Sequence, residues 1–208
     1  MAERGQGRLM TLWYLARGAG FAALIAFTAS TVLGALATTG SPGARGLDRR
    51  YLRQMAHRSA AVTGLAMLAT HIVLILTDVY VNASATGALI PFTAGYRPFA
   101  LGLGSIAVYL FILVAVAGAA RGRLATSARA ARNWRRVHAM AYAGWALSMG
   151  HGILAGTDTG TRWTTAIYLA CGAAVVFAVG ARLSGLRTER AHPLAVARET
   201  RLRSGRAS

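Results

Sequence analysis

Five long apolar segments, separated by short arginine-bearing linkers, dominate this chain. A stretch of about 20 apolar residues crosses the ~30 Å hydrocarbon core of a bilayer as a helix, and each segment reaches that length. With 55% hydrophobic and 14% charged residues, the 208-residue composition favours a polytopic membrane protein over a soluble domain. The sequence therefore predicts an all-α bundle of five transmembrane helices, at residues 12–37, 56–79, 99–120, 136–156 and 163–183.

The basic residues indicate the orientation of this bundle. All 23 of them are arginine, and they give a net charge of +17. They concentrate in linkers 38–55 and 121–135 and in the C-terminal tail, not along one amphipathic element, which argues against a nucleic-acid partner. By the positive-inside rule these regions are cytoplasmic and the N-terminus lies outside, against the weaker signal of Arg4, Arg8 and Arg17. The prediction is a multi-pass plasma-membrane protein, and the exclusive use of arginine hints at a GC-rich bacterial genome.

The domain organisation follows from the same pattern. Residues 1–11 form an N-terminal tail, 12–183 the transmembrane domain, and 184–208 a polar, basic, proline-interrupted cytoplasmic tail that we expect to be a disordered or membrane-surface extension. The first segment ends in an A-L-A tripeptide that resembles a signal-peptidase site. Its apolar run is too long for a signal peptide, and cleavage would leave a basic linker outside, so we expect it to be retained.

Four histidines carry the strongest functional signal. His57 and His71 lie in the second segment, and His138 and His151 lie in the fourth. The steps of fourteen and thirteen residues separate the members of each helix by roughly 20 Å. The predicted topology makes these two helices parallel, so His57 pairs with His138 and His71 with His151. Ionisable groups inside a membrane are costly, and neutral imidazole binds iron; the alternative for each histidine is an interhelical hydrogen bond.

Helical geometry does not accommodate both spacings equally well. At about 100° per residue, fourteen steps return His71 to within roughly 40° of His57, whereas thirteen steps leave His151 about 140° from His138. The fourth helix must therefore supply its ligands from different sides or be locally over- or underwound, and Gly144, Gly150 and Gly152 are the expected sites of such a distortion. The fifth histidine, His192, lies in the polar tail and is predicted to be solvated.

Longer stretches extend the signal into a resemblance. LWYLARGAGFAAL, HRSAAVTGLAMLATHIVLILTDVY, IPFTAGYRPFALGLG and WRRVHAMAYAGWALSMGHGILAGTDT, with the paired histidine spacing, look most like short actinobacterial members of the ferric reductase-like transmembrane domain family. NADPH oxidases, ferric reductases and the haem-binding subunit of methionine sulfoxide reductase share this domain. The resemblance covers about residues 11–183. The larger relatives have one more helix before the first and a C-terminal flavin and nicotinamide domain, for which this sequence has no fingerprint.

The resemblance implies two b-type haems, an inner one on His57 and His138 and an outer one on His71 and His151. Single electrons would pass from a separate cytoplasmic donor, a flavoprotein reductase, reduced flavin or quinol, to an external acceptor, with ferric iron as the leading assignment. A first alternative is a membrane subunit that reduces an external partner enzyme such as methionine sulfoxide reductase. A second is a haem-free scaffold or transporter whose histidines relay protons.

Several other residues are weaker candidates, each with a structural explanation beside the functional one. Arginines near the inner histidines suit haem propionates, although positive-inside anchoring also places them there; they are Arg53, Arg58, Arg135 and Arg136. Arg97 and Arg162 suit the outer haem or an anionic acceptor.

Candidates also lie between and beyond the histidine levels. Trp145 and Met67 fall between the levels, where they either pack the core or shape electron transfer. Asp78 and Asp158 follow the outer histidines by seven residues and suit a cation or a polar helix end. The apolar loop 80–98 either caps the outer haem or rests at the interface, and Cys171 is a small buried residue.

Overall fold

The fold is a bundle of long helices. The computed structural model describes the backbone of residues 2–37, 44–77, 85–124 and 126–204, and the side chains of 11–37, 48–77, 86–124 and 126–185. All regular secondary structure in these ranges is helical. The elements are α1 (Ala2–Leu36), α2 (Ala44–Thr77), α3 (Ala85–Leu89), α4 (Pro98–Ala119), α5 (Arg121–Leu124), α6 (Ala128–Ala155) and α7 (Arg162–Ser204).

Four of the described helices are long and apolar enough to cross a membrane. The apolar parts are Thr11–Leu36 in α1, Asp48–Thr77 in α2, Pro98–Ala119 in α4 and Arg162–Gly185 in α7. Helix α6, the predicted fourth of five spans, falls short of this standard although it is 28 residues long. Its first half carries four arginines, and its second half contains histidine, serine and glycine, which lower the mean hydropathy.

Two antiparallel helical hairpins form the body of the bundle. Helix α2 packs along α1 and α6 packs along α4, whereas α2 and α6 have at most marginal contact with each other. Most of the buried side chains of α1 are small, which lets helices approach closely where lipid provides no hydrophobic drive for association. Buried alanines on α1 and α4 include Ala16, Ala19, Ala23, Ala35, Ala100, Ala107 and Ala117.

A pair of stacked phenylalanines joins the two hairpins at mid-height. The rings of Phe27 on α1 and Phe111 on α4 lie 3.9 Å apart between centroids and within 9° of parallel. Ala23 and Ala107 complete this buried cluster, and larger side chains from α2 and α6 surround it. Trp145 donates a hydrogen bond of 2.9 Å from Nε1 to the Thr28 hydroxyl, a second link between the hairpins.

The stack leaves no room for a larger residue at Gly64. A Cβ atom there would lie 2.8 Å from Cδ1 of Phe27, whose ring is held by Phe111. We expect Gly64→Ala to destabilise the protein by about 1–3 kcal/mol through overpacking. The matched control is Gly18→Ala on α1, where a Cβ meets nothing within 4 Å and helix propensity improves. Thermal unfolding in detergent compares the two; equal midpoints would contradict the expectation.

Two predicted features of the helices differ from the structure. Helix α6 is continuous α-helix from Ala128 to Ala155, so the expected distortion at its glycines is absent from its hydrogen-bonding pattern. The tail from residue 184, predicted to be either disordered or a membrane-surface extension, continues α7 as a helix to Ser204, which the high helix propensity of its alanine, leucine, arginine and glutamate residues explains. The predicted role of His192 falls on a side chain outside those described.

The described part of the loop between α2 and α4 lies against the flank of α4. Ser105 and Tyr109 of α4 donate hydrogen bonds to the carbonyl oxygens of Ala88 and Leu89, at the end of the short helix α3. Ser105 and Tyr109 lie about 100–140° around α4 from Gly104, the residue that faces His151. These contacts therefore hold residues 85–90 to the side of the bundle, not over the outer histidines.

Candidate functional site

The structure brings the four histidines together as two facing pairs. We call His57 and His138 the inner pair, and His71 and His151 the outer pair. Their ring centroids lie 6.1 Å apart in the inner pair and 6.4 Å apart in the outer pair. The planes cross at 70° and 76° respectively. Helices α2 and α6 therefore run in the same direction and face each other at two depths.

Three of the four rings are fixed by a hydrogen bond from Nδ1 to a backbone carbonyl of the neighbouring helix. His71 donates to Ala16 at 2.7 Å and His57 to Ser30 at 2.8 Å, both on α1. His151 donates to Ala100 on α4 at 2.9 Å. The Ser30 hydroxyl also lies 3.1 Å from Nδ1 of His57. This is the arrangement of metal-ligating histidines, in which the Nδ1 bond sets the tautomer and leaves Nε2 free to coordinate.

A glycine makes room for each ring, four residues after the carbonyl that the ring faces. A Cβ on Gly20 or Gly34 of α1 would lie 3.1 Å from the ring of His71 or His57. On α4 the corresponding distances are 2.8 Å at Gly104, beside His151, and 3.4 Å at Gly118, beside His138. A side chain at these positions would push the imidazole away. We call the space that each glycine leaves for its histidine ring the seat of that histidine.

The two hairpins repeat one pattern. Helices α1 and α4 each read G-x6-F-x6-G, with Phe27 and Phe111 midway between their glycines. Helix α2 reads H-x6-G-x6-H and α6 reads H-x5-G-x6-H; the middle glycines, Gly64 and Gly144, lie against Phe27 and Phe111. Sequence reasoning found the histidines but missed this repeat. A search for self-similarity could have found it, since α4 repeats α1 at a shift of 84 residues.

His138 occupies the loosest of the four seats. It lies one residue closer to the middle glycine than its counterpart His57. Its ring approaches the carbonyl of Val114, yet Nδ1 is buried without a hydrogen bond, the only such atom among the described side chains. The thirteen-residue spacing is thus accommodated at His138 itself, where the ring gives up its carbonyl bond, while the helix stays regular.

The seats predict different tolerance to the same substitution. We expect Gly104→Ala to displace the His151 ring and break its bond to Ala100, because the new methyl group would lie within 2.8 Å of Nδ1. Gly118→Ala, with 3.4 Å to the nearest atom of His138, is expected to be tolerated. The nitrogen chemical shifts of ¹⁵N-labelled histidine report Nδ1 hydrogen bonding in each variant. Equal perturbation by both substitutions would contradict this account.

The pairs fit a bis-histidine iron ligand set. Two iron–nitrogen bonds of about 2.0 Å plus the radius of each imidazole separate the ring centroids by roughly 6 Å, close to the observed 6.1 and 6.4 Å. Among the described side chains, the ring hydrogen bonds of the pairs run to the neighbouring helices and none joins the two rings of a pair. No group of three or more histidine, cysteine or acidic residues occurs among the described residues. Haem needs only two protein ligands.

The candidate propionate partners are scattered around the inner pair. Arg58 lines an open groove of about 460 Å³ with Met55 and Val62, on a flank of α2 away from His57. Arg53 donates to the Leu36 carbonyl at 3.0 Å. Arg135 and Arg136 are exposed on α6. Arg121 on α5 lies over the ring of Trp134, which stacks on His138 of the inner pair. The sequence did not single out this arginine as a candidate.

The outer end holds an ion pair that the sequence did not predict. Arg17, which the sequence offered only as evidence on orientation, pairs with Asp158 of the α6–α7 loop, and both side chains are partly buried. Arg97 donates to the Leu154 carbonyl at 2.8 Å and lies over the ring of Tyr96. Arg162 is exposed at the start of α7. Asp78 lies outside the described residues.

The residues predicted between the histidine levels belong to the core. Trp145 and Met67 pack against the Phe27–Phe111 cluster. The aromatic pair at the centre is this phenylalanine stack, which sequence reasoning missed because each ring is an ordinary apolar residue of its own segment. Cys171 is buried on α7.

Comparisons of this chain with protein-family models, curated proteins and solved structures find no match.

Proposed function

We propose that this chain is a five-helix membrane protein of the ferric reductase-like type. In this proposal it binds one b-type haem between His57 and His138 and a second between His71 and His151. It passes single electrons from a cytoplasmic donor to an external acceptor, ferric iron being the leading candidate. The observation that carries the proposal is the pair of facing histidines at each of two levels, at the ring separation that one shared iron requires.

The protein's own contribution is to hold and orient the ligands. Carbonyl bonds fix the Nδ1 side of His57, His71 and His151, which raises the basicity of the ligating nitrogen. Bound haem supplies reversible one-electron chemistry at each level. The Phe27–Phe111 stack fills the space between the levels and keeps water out of it.

The same geometry supports α6 as the fifth span. Its two histidines face those of α2, a helix that meets the standard of a membrane span, at both depths. A helix that matches a spanning neighbour at two levels crosses the same layer. Its polar residues are tolerated because they face the bundle interior.

Arginine placement supports a cytoplasmic inner end. The starts of α2 and α6 lie beside the inner pair, whereas Arg97 and Arg162 are exposed at the opposite end. Helix α7 returns to the inner end, where Arg182 donates to the Tyr142 hydroxyl at 3.3 Å. The positive-inside rule then places the N-terminus outside. The described arginines at the inner end are Arg49, Arg50, Arg53, Arg58, Arg121, Arg123, Arg129, Arg132, Arg135, Arg136 and Arg182.

The direct test is haem content of the full chain purified in detergent. We expect two b-type haems per chain by pyridine haemochrome, with the same content in the control variant His192→Ala. Ferric chelate added to the dithionite-reduced protein, without a partner protein, should reoxidise it. A folded chain without haem would refute the proposal and favour the haem-free transporter or scaffold. Reoxidation only with an added partner enzyme would contradict ferric iron as acceptor.

The crossed imidazole planes predict a spectroscopic signature. Near-perpendicular axial imidazoles leave the ferric d-orbitals nearly degenerate, which gives a strongly anisotropic low-spin EPR signal. With planes at 70° and 76°, we expect both haems to show this signal at low field. Rhombic spectra typical of parallel imidazoles at both sites would contradict the ring geometry.

A further inference from the structure

His138 differs from the other three histidines in what holds its ring. The others donate from Nδ1 to a carbonyl, whereas Nδ1 of His138 approaches the Val114 carbonyl without forming a hydrogen bond of normal geometry. Buried polar groups are nearly always hydrogen-bonded, so an exception asks for an explanation. A ligand that lacks its outer hydrogen bond needs another group to fix its orientation.

Trp134 supplies that group. It precedes His138 by one helical turn, so both side chains lie on the same face of α6. The indole and imidazole rings stack with centroids 5.0 Å apart and planes within 13° of parallel. Nε1 of Trp134 donates to the Ala117 carbonyl on α4 at 2.7 Å, which anchors the indole to the neighbouring helix. Gly118, the next residue, borders the same imidazole.

Arg121 extends the arrangement towards the arginine-rich end. Its guanidinium carbon lies 5.1 Å from the centre of the Trp134 ring, within the range of a cation–π contact. Arg121 belongs to α5, the short connection between α4 and α6. An ordered series, guanidinium, indole and imidazole, thus leads from the exposed end of the bundle to a single histidine of the inner pair. The outer pair has a carbonyl bond on both of its histidines instead.

We propose that Trp134, held by Ala117 and Arg121, is the positioning residue of His138 and makes the inner haem the more easily reduced of the two. This inference rests on the proposed function. An imidazole that donates from Nδ1 is the more basic ligand and stabilises ferric iron. His138 lacks that bond, so it is the less basic ligand. The Arg121 cation lies on the other side of the Trp134 ring from His138. Both features favour the ferrous form at the inner site.

The test is a spectroelectrochemical titration of the full-length protein in detergent, with EPR of the oxidised form. In the wild type, the haem of higher midpoint potential should be the one lost in His57→Ala. Arg121→Gln and Trp134→Leu should lower the inner potential, because the cation is removed or because His138 becomes free to bond Val114. Trp134→Phe, which keeps a stacking ring, should retain most of the wild-type behaviour.

The controls are matched in chemistry and position. Arg123→Gln removes a second exposed charge from the same short helix, and Trp163→Leu repeats the tryptophan substitution at the outer end. Both should leave the inner potential unchanged. Trp134→Leu should also change the low-field EPR signal of the inner haem, because its imidazole is released, and a merely structural role would not alter that signal selectively.

The outcomes separate the inference from the proposed function. A wild-type protein without haem refutes the proposed function itself. Two haems whose potentials and EPR signals are the same in Arg121→Gln, Trp134→Leu and wild type refute only the role of Trp134. An inner haem with the lower potential refutes it as well. If Trp134→Leu does not fold, the role of Trp134 is decided by the midpoint potential and the EPR signal of the inner haem in Arg121→Gln and Trp134→Phe.

Discussion

Single replacement of any one of the four histidines by alanine is expected to remove one haem and leave the other. In the proposed arrangement each iron would have its own pair of ligands, and the pairs are separated by a helical distance of roughly 20 Å. Loss of one imidazole therefore affects only its own level. Haem content should fall to half, and the reduced-minus-oxidised spectrum should lose one of two components.

Double variants test which histidines share an iron. His57→Ala combined with His138→Ala removes both ligands of one level and should still leave one haem. His57→Ala combined with His151→Ala disrupts both levels and should leave none. The two variants carry the same number and type of substitutions, so each serves as the control for the other. Equal haem content in both would contradict the pairing inferred from the ring-centroid distances of 6.1 and 6.4 Å.

Asp158→Ala is expected to destabilise the protein by about 1 kcal/mol, because it leaves a partly buried charge on Arg17 without its carboxylate partner. Arg17 follows Ala16, the acceptor for His71. The loss should therefore reach the outer haem before the inner one. Unfolding in detergent, followed by haem absorbance and by circular dichroism, measures both effects.

A second substitution should reverse much of this loss. Arg17→Leu combined with Asp158→Ala removes both charges and replaces the pair by apolar surface, which is often neutral or stabilising. Arg162→Leu is the control for the loss of an exposed arginine at the same end, with an expected effect within about 0.5 kcal/mol. If the double variant is no more stable than Asp158→Ala alone, the ion pair is not the reason for the loss.

Much of the helical framework could be predicted because its signals are local. Lipid requires each spanning segment to satisfy its own backbone hydrogen bonds, so long apolar runs indicate helices without knowledge of their neighbours. Four predicted spans correspond to apolar helices of the structure. The remaining predicted span, α6, carries residues that suit a bundle interior better than lipid. Mean hydropathy does not distinguish a polar residue that faces the bundle from one that faces lipid. Helix ends were less predictable, since α2 begins at Ala44 and α7 reaches Ser204.

The sequence by itself determined which residues are unusual: four histidines at paired spacing in segments where ionisable side chains are costly. Only the tertiary structure decided what surrounds them. The glycine seats, the carbonyl acceptors, the Phe27–Phe111 stack and the Trp134 contact with His138 each join different helices or depend on ring orientation. So does the pairing of Arg17 with Asp158. Spacing along one helix specifies depth and approximate face, whereas contact between helices depends on their packing, to which every residue of the interface contributes.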